Sequence, residues 1–377
     1  MSAPWPEELP EGFEFDRFTI LGLVRRGSVA SVYRAKCPEH GTVALKIYER
    51  PGADKGPDLR RLTKNLRAAA NARHPNLAAI FAVGVWQERP YVATEWLDGC
   101  DLETYIERWG VMLEEEVAEL GLHLSSGLLA LHAAGAAHGD IKPSCVFLCD
   151  GPDGDVIPKL IVSDLPHVSG LATPVDSTTR EIALSTPAYL PPEAIRGRPG
   201  GPLADQYSVG AVLYTCAVGR APYSGGSLLE LLRAIALGDI AAPRTQRPEL
   251  SEAIDSVILR ALRAQPALRF EGMRELGRAL WPLASERARD AWARAFGVGS
   301  ELSLVATPGG QRLGFGEESD VLSLAGLRPS KSSVWVLLAA SVALSIGIGA
   351  IYLYSVRSSS APTAPGEPQG SALRAPF

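Results

Sequence analysis

A run of 23 residues without a single charged side chain, residues 334–356, sets the first limit on how this chain can fold. Its length matches the roughly 20 helical residues that cross the apolar core of a bilayer. Trp335 lies at one end, and Tyr352 and Tyr354 lie at the other, as aromatic side chains do at membrane surfaces. A buried core helix is the alternative, although buried helices of this length usually carry a charge. The run therefore predicts one transmembrane helix.

The segments on either side of this run predict how the chain is placed in the membrane. The first 15 residues are rich in proline and glutamate and do not have the charged-then-apolar order of a signal peptide. We therefore expect a single-pass protein of the inner (plasma) membrane, with the bulk of the chain cytoplasmic and the tail, residues 357–377, outside. Residues 286–333, which are rich in glycine and serine from Gly297 onward, are expected to form a juxtamembrane linker.

Charge and cysteine content narrow the class of protein. A net charge of -5 and the lack of a long basic block give no reason to expect a nucleic-acid partner. The five cysteines are scattered and odd in number, which argues against a disulfide framework and fits a reducing compartment. The part of the chain before the apolar run is long enough for a domain of two lobes.

Residues 138–146 (HGDIKPSCV) combine an aspartate, a lysine two residues later and a proline. A long amphipathic pattern at residues 113–134 precedes them and predicts a helix. Asp164 follows them after an apolar segment, and its carboxylate is the kind of ligand that Mg²⁺ prefers. An aspartate and a lysine at this spacing are common by chance, so their meaning depends on the other motifs.

The first part of the chain predicts two strands joined by a turn, at residues 18–22 and 31–35, followed by a third strand that contains Lys46. An ammonium group is costly to bury without a partner, and the phosphate of a ligand would be one. For an isolated lysine, an edge strand with the side chain reaching solvent is the simpler interpretation.

In their order and spacing, these segments resemble the motifs of bacterial eukaryotic-like (Hanks-type) Ser/Thr protein kinases. Residues 138–146 are similar to H-R-D-L-K-P-x-N, residues 43–47 resemble V-A-I-K, and residues 163–166 occupy the place of D-F-G. Further elements follow: STPAY at 185–189, PPE at 191–193, DQYSVG at 205–210 and Arg269. The resemblance implies that Asp205 holds the backbone of residues 138–146 and that Arg269 forms a largely buried ion pair with Glu193. The chain is identified as a membrane-anchored member of this family with degenerate catalytic motifs.

The resemblance implies an α+β fold of two lobes, with a small β-rich N-lobe and a larger helical C-lobe, followed by one transmembrane helix. The kinase-like domain would span residues 16–285, after an N-terminal extension of residues 1–15. Its N-lobe would span residues 16–94 and its C-lobe residues 98–285, with ATP bound between them.

The resemblance also assigns roles to individual residues. Asp140 would accept or orient the proton of a Ser or Thr hydroxyl group, and Lys142 would steady the transferred phosphate. Lys46 would hold the α- and β-phosphates of ATP, and Asp164 would hold Mg²⁺. The other residues implied to bind ATP are Gly27, Val32, Ala44, Glu95 and Leu97.

Six positions depart from the family's pattern. Arg25 and Ala30 replace two glycines of the phosphate-binding turn, and Asn65 stands where a glutamate would pair with Lys46. Cys145 replaces a metal-binding asparagine, and a thiol is a poor ligand for Mg²⁺. The two remaining departures are Gly139, in place of arginine, and Pro166, in place of glycine.

These departures leave three functions open. We expect a membrane-anchored signalling protein that binds ATP and Mg²⁺ and whose phosphotransfer to protein Ser or Thr residues is weak or lost. A fully active Ser/Thr protein kinase is one alternative, and a pseudokinase scaffold that works without ATP is the other. The substrate and the protein partners cannot be read from the sequence.

A stripe of small residues in the apolar run predicts self-association. Ala339, Ala343 and Gly347 recur every four residues, which places them on one face of a helix. Small side chains let a second helix approach closely, so two copies of the chain can pair through this face. Chance is the alternative, because small residues are common in membrane helices.

Overall fold

The structure, a computed structural model, describes residues 8–298 except for 28–29, 49–58, 152–155, 163–186, 199 and 226, and for residues 59–63 it describes the backbone alone. Within these described ranges, no helix is both long and apolar enough to cross a membrane. The predicted transmembrane helix at residues 334–356, its stripe of small residues, and Asp164 and Pro166 lie outside the described residues.

The first lobe is built on a six-stranded antiparallel sheet whose strand order is β1–β2–β3–β4–β6–β5. The strands are β1 (Glu14–Phe15), β2 (Phe18–Arg26), β3 (Ala30–Cys37), β4 (Gly41–Tyr48), β5 (Ile80–Trp86) and β6 (Arg89–Glu95). One helix, α1 (Leu59–Ala69), accompanies the sheet in the described part of this lobe.

The two faces of this sheet differ in burial. On β4, Val43, Leu45 and Ile47 are buried in an apolar cluster, whereas Ala44 and Lys46 alternate with them and are partly exposed. Successive side chains of a strand point to opposite faces, so this alternation places Lys46 on the face away from the cluster. That face lines the cleft between the lobes, since Asp140 and Lys142 of the second lobe act electrostatically on Lys46.

The residues just before the sheet belong to the folded lobe. Leu9 and Phe15 are buried in the same apolar cluster, and the Leu9 backbone N–H donates to the Tyr33 hydroxyl at 3.3 Å. The sequence analysis assigned residues 1–15 to an extension before the kinase-like domain. The apolar side chains among those residues are enough to fasten the segment from Leu9 onward to the sheet.

The second lobe is mainly helical and starts with a small antiparallel sheet, β7–β8–β9 (Gly99–Asp101, Val146–Asp150 and Val156–Leu160). Its two central helices are α3 (Glu114–Ala133) and α5 (Pro202–Val218), and the residues of α5 from Ala204 to Ala217 are all buried. The other helices are α2 (Leu102–Trp109), α4 (Pro192–Ile195), α6 (Leu228–Leu237), α7 (Pro243–Gln246), α8 (Glu252–Ala261), α9 (Met273–Leu280) and α10 (Glu286–Phe296). The two-lobed α+β fold expected from the sequence is therefore confirmed.

Helix α10 extends the folded lobe into the range that the sequence analysis assigned to the linker. Phe296 is buried, and its ring packs so closely on Gly277 of α9 that a Cβ atom there would lie 2.1 Å from it. The Trp281 indole N–H also donates to the carbonyl oxygen of Arg289 at 2.8 Å. Trp292 and Phe296, four residues apart, give this charged helix the apolar side that docks it.

Candidate active site

One carboxylate on α5 holds the backbone of residues 138–146, the catalytic segment. Asp205 accepts the backbone N–H of Gly139 at 2.7 Å and that of His138 at 2.9 Å. The His132 Nε2 atom lies 2.8 Å from the same carboxylate. This fixes the segment that carries Asp140, as the DQYSVG motif predicted.

His138 connects the catalytic segment to Ile161, the residue that follows β9. Its Nε2 atom lies 2.9 Å from the carbonyl oxygen of Ile161, which can only accept, so Nε2 carries the proton. The Nδ1 atom then accepts the backbone N–H of Asp140 at 3.2 Å. Burial lowers the pKa of His138, so the ring is neutral and acts as a fixed two-ended connection.

Asp140 and Lys142 form an ion pair at the centre of the site. The Lys142 Nζ atom donates to Asp140 Oδ2 at 2.7 Å, and the Asp140 side chain is only 2% exposed. Burial acts to lower the pKa of Lys142, but the negative charge of Asp140 and its hydrogen bond to the ammonium group raise the pKa above its ordinary value. The two residues to which the resemblance gave the roles of base and phosphate-steadying lysine therefore lie together.

Lys46 lies above this pair, on β4. It is directly opposite Val32 of β3 and Val92 of β6, and its Nζ atom lies 5.3 Å from the centre of the Tyr48 ring. Burial lowers the pKa of Lys46 to about 8, and the positive charge of Lys142 contributes in the same direction. The ammonium group is thus held in a poorly solvated place, where an anionic ligand would bind it strongly.

Asn65 does not occupy the place that the sequence analysis gave it beside Lys46. Its Nδ2 atom donates to the carbonyl oxygen of Ala137 at 2.9 Å, and its Oδ1 atom accepts the backbone N–H of Ala137 at 3.3 Å. An amide carries both a donor and an acceptor and so satisfies both peptide groups, which an ionised carboxylate cannot do. Asn65 therefore attaches α1 to the start of the catalytic segment.

Cys145 does not fit a magnesium site. Its thiol is buried, and burial raises its pKa to about 11, so the group is protonated at neutral pH. The Sγ atom donates to the carbonyl oxygen of Asp140 at 3.4 Å. No cluster of three or more metal-binding side chains occurs in the described ranges, and the other expected ligand, Asp164, lies outside them.

The remaining ATP-binding candidates lie along the cleft side of the first lobe. Val32 and Ala44 are partly exposed on the face that carries Lys46. Glu95 ends β6, and its carboxylate accepts both from Lys159 Nζ, at 2.8 Å to each oxygen, and from the Ala79 backbone N–H at 2.8 Å. The side chain of Glu95 is therefore engaged with protein groups, and its backbone N–H also donates to the carbonyl oxygen of Ala79 at 2.9 Å. Leu97, two residues later, is partly buried.

Phe147 is a candidate that the sequence analysis did not identify. Val146 and Leu148 on either side of it are buried in the core, so Phe147 points to the opposite face of β8. Across the antiparallel pair it is directly opposite Lys159, whose ammonium group reaches Glu95. Phe147 therefore lies below the end of β6, where an aromatic ring can contact an adenine from the second lobe. Its place between two apolar residues of a strand was the sequence feature that could have indicated this position.

Gly27 shapes the turn between β2 and β3. Its backbone N–H donates to the carbonyl oxygen of Ala30 at 2.9 Å, and a Cβ atom on Gly27 would lie 3.0 Å from that oxygen. The close approach explains why the middle glycine remains. It also means that this N–H group is used within the turn and is not directed at a phosphate.

A buried ion pair supports the second lobe below the site. Arg269 donates two parallel hydrogen bonds to Glu193, at 2.7 and 2.8 Å, and its side chain is 0% exposed. The carbonyl oxygens of Leu203, Arg263 and Ala264 accept from the same guanidinium group. The pair that the sequence predicted is confirmed.

Comparison with known proteins agrees with this geometry. The sequence profile of the protein kinase domain matches residues 18–281. The serine/threonine-protein kinase PrkC of Bacillus subtilis is 27% identical over 259 residues, which are 68% of this chain and 38% of that protein. The serine/threonine-protein kinase PknJ of Mycobacterium tuberculosis is 28% identical over 310 residues, which are 80% of this chain and 51% of that protein.

Among solved structures, the kinase domain of PknI from Mycobacterium tuberculosis superposes with a TM-score of 0.58 at 24% sequence identity. The superposition covers 73% of this chain and 100% of that domain, and at this identity it shows the shared fold. The matched segments span 38% and 51% of the length of the two curated relatives.

Proposed function

The chain belongs to the protein kinase family, and we propose that it binds ATP and that its phosphotransfer to protein Ser or Thr residues is weak or lost. The state of the catalytic segment carries this proposal. Asp140 and Lys142 are in place, 2.7 Å apart, while Cys145 fills a metal-binding position with a buried, protonated thiol.

Binding of ATP is supported by the arrangement of the cleft. Lys46 presents an ammonium group in a poorly solvated place, close enough to Asp140 and Lys142 for their charges to act on it. Val32 and Ala44 give the same face of the sheet an apolar surface for an adenine ring. Any Mg²⁺ that accompanies the nucleotide would depend on Asp164.

For phosphotransfer, the acceptor hydroxyl group would approach Asp140, whose carboxylate would take or orient its proton. Lys142 would offset negative charge on the transferred γ-phosphoryl group. Asp205 accepts the backbone N–H of Gly139, and His138 accepts the backbone N–H of Asp140 itself, so little reorganisation is needed for the reaction. The names of PrkC and PknJ support Ser or Thr as the acceptor.

Two departures explain why we propose a low rate. Cys145 removes a ligand that would fix a cation on the phosphates, and α1 contains no acidic residue to orient Lys46. Losing one preorganised charge of this kind costs roughly 3 kcal/mol of transition-state stabilisation, which is about a hundredfold in rate.

We also propose that residues 334–356 anchor the chain in the plasma membrane, with the kinase domain in the cytoplasm. The length of the uncharged run supports the anchor. Pairing of two copies through Ala339, Ala343 and Gly347 is proposed on the stripe of small residues. Ser341, Ser345 and Gly349 recur every four residues in an adjoining stripe. In a membrane reporter assay, Gly347→Leu combined with Gly349→Leu should weaken the pairing markedly. An unchanged signal would leave the helix as an anchor alone.

The test of the main proposal is transfer of labelled γ-phosphate by the full-length chain, compared with the Asp140→Asn variant, together with equilibrium binding of ATP. We expect ATP binding and a transfer rate that is low or close to that of the variant. Rapid transfer that Asp140→Asn abolishes would establish a fully active kinase. Lack of ATP binding at millimolar nucleotide would favour a scaffold that works without ATP.

A further inference from the structure

Arg25 has a large, charged side chain at a position where the family's phosphate-binding turn has a glycine. It lies near the end of β2, is exposed, and is directly opposite Val32 of β3. Val32 in turn is directly opposite Lys46 of β4. Arg25, Val32 and Lys46 therefore form one row across three neighbouring strands.

The side chains of this row lie on one face of the sheet. Residues directly opposite each other in antiparallel strands point to the same side, so Arg25 shares the side of Lys46, which is the cleft side. An irregularity in the pairing of β2 with β3 determines which face of the sheet Arg25 lies on. Leu23 pairs with Tyr33 and Arg25 pairs with Val32, so two residues of β2 advance against one of β3. Leu23 packs against the apolar cluster, and Arg25 is turned to the cleft.

Electrostatics agree with this placement. The charge of Arg25 contributes to lowering the pKa of Lys46, after burial, and acts on Lys142 of the second lobe. It also lowers the pKa of Glu103 in α2, although burial, the largest influence, raises it. Arg25 thus acts on both sides of the cleft. Within the described ranges, no ion pair engages its guanidinium group.

Two groups that would bind the phosphates in other kinases are not available in this cleft, and the charge of Arg25 could replace them. The Gly27 N–H, which could otherwise bind a phosphate oxygen, donates to Ala30, and Cys145 is a protonated thiol that cannot hold a cation. Two sources of phosphate stabilisation are therefore missing. A guanidinium group presents several N–H donors in a planar fork that matches phosphate oxygens.

We infer that Arg25 is a phosphate-binding residue, which together with Lys46 and Lys142 holds the phosphates of a nucleoside triphosphate in place of turn amides and a second metal ion. This inference rests on the proposed binding of ATP. If it is right, Arg25 raises the affinity for ATP and has little effect on the affinity for adenosine, which has no phosphate. The inference also predicts binding that depends little on divalent cations.

The test is equilibrium binding of ATP and of adenosine to the full-length chain, with Mg²⁺ and with a chelator, for the unchanged protein and three variants. Arg25→Gln should weaken ATP binding about tenfold, the loss of one charge-assisted contact, and leave adenosine binding within about twofold. Arg25→Lys should restore part of the affinity for ATP. Arg26→Gln is the matched control, because it removes the same charge from the next residue, which is opposite Ser31 and on the other side of the strand.

Each outcome separates the inference from the proposal beneath it. If the unchanged protein binds neither ligand, the proposed ATP binding fails. If it binds ATP and Arg25→Gln binds equally well, ATP binding stands and the inference is wrong. Equal weakening of ATP and adenosine, or tighter ATP binding by Arg25→Gln, would also overturn it, the first by showing a general change of the cleft and the second by showing that Arg25 obstructs it.

Discussion

Asn65 binds Ala137 through both ends of its side-chain amide, donating to the carbonyl oxygen at 2.9 Å and accepting the N–H at 3.3 Å. This two-point contact joins α1 of the first lobe to the residue just before His138. In a family whose members pair this helix with a strand lysine, the helix here is attached to the catalytic segment by neutral groups. Its position therefore does not depend on the charge state of Lys46.

This contact predicts that restoring the family's residue will not restore the family's activity. Asn65→Glu removes the donor to Ala137 and brings a second acceptor to the same place, so we expect a loss of about 1–2 kcal/mol in the free energy of unfolding. Phosphotransfer should not rise, because the position faces Ala137. Urea unfolding and transfer of labelled phosphate measure the two effects.

Asn71→Asp is the control for this prediction, since Asn71 is an exposed asparagine just beyond the same helix. It should change the free energy of unfolding by less than about 0.5 kcal/mol. A gain in phosphotransfer by Asn65→Glu without loss of stability would mean that the helix readily turns this position toward Lys46.

Cys145→Asn should make nucleotide binding depend on Mg²⁺. An amide oxygen suits a hard cation, whereas the protonated thiol does not. We expect Mg²⁺ to tighten ATP binding more in the variant than in the unchanged protein and the phosphotransfer rate to rise about tenfold or more. Cys149→Ser is the control, because it alters a different buried thiol, which lies on β8, and it should leave the Mg²⁺ dependence unchanged. Equal Mg²⁺ dependence in all three proteins would contradict the prediction.

The buried pair of Arg269 and Glu193 should contribute strongly to the stability of the second lobe. Glu193→Gln leaves a fully buried guanidinium group without its counter-charge, so we expect a loss of about 3–5 kcal/mol in the free energy of unfolding. Glu252→Gln breaks the pair with Arg244, in which Glu252 is 84% exposed, and should cost less than about 1 kcal/mol. Similar losses in the two variants on urea unfolding would show that burial of the first pair adds nothing.

The parts of the site that the sequence predicted lie in motifs that the chain shares with the kinase family. Asp205, Arg269 and the pair of Asp140 and Lys142 each lie where the motif order required them. The resemblance to the family supplied these contacts, two of which join segments far apart in the chain. Ser/Thr specificity and membrane attachment depend on features outside this geometry and stay predictions.

The parts that the sequence did not predict depend on packing and strand pairing that no shared motif records. Counting residues placed Asn65 beside Lys46, but the rotation of α1 is set by Leu66 and Ala69, which are buried in the core. The direction of Arg25 depends on the irregular pairing of β2, which regular alternation does not reveal. Helix α10 was missed because its many charges resemble those of a linker, although its face with Phe296 is buried.

The last prediction concerns pH. Lys46 has a pKa of about 8, below its ordinary value because of burial, so raising the pH from 7 to 9 converts most of the free protein to the neutral amine. The phosphates of ATP stay ionised over this range and need the ammonium form, so ATP binding should weaken about tenfold between pH 7 and pH 9. Adenosine binding should not change, because it makes no phosphate contact. Lys46→Arg should bind ATP with little dependence on pH, since a guanidinium group stays charged. The same decline in Lys46→Arg would assign the titration to another group and contradict the role given to Lys46.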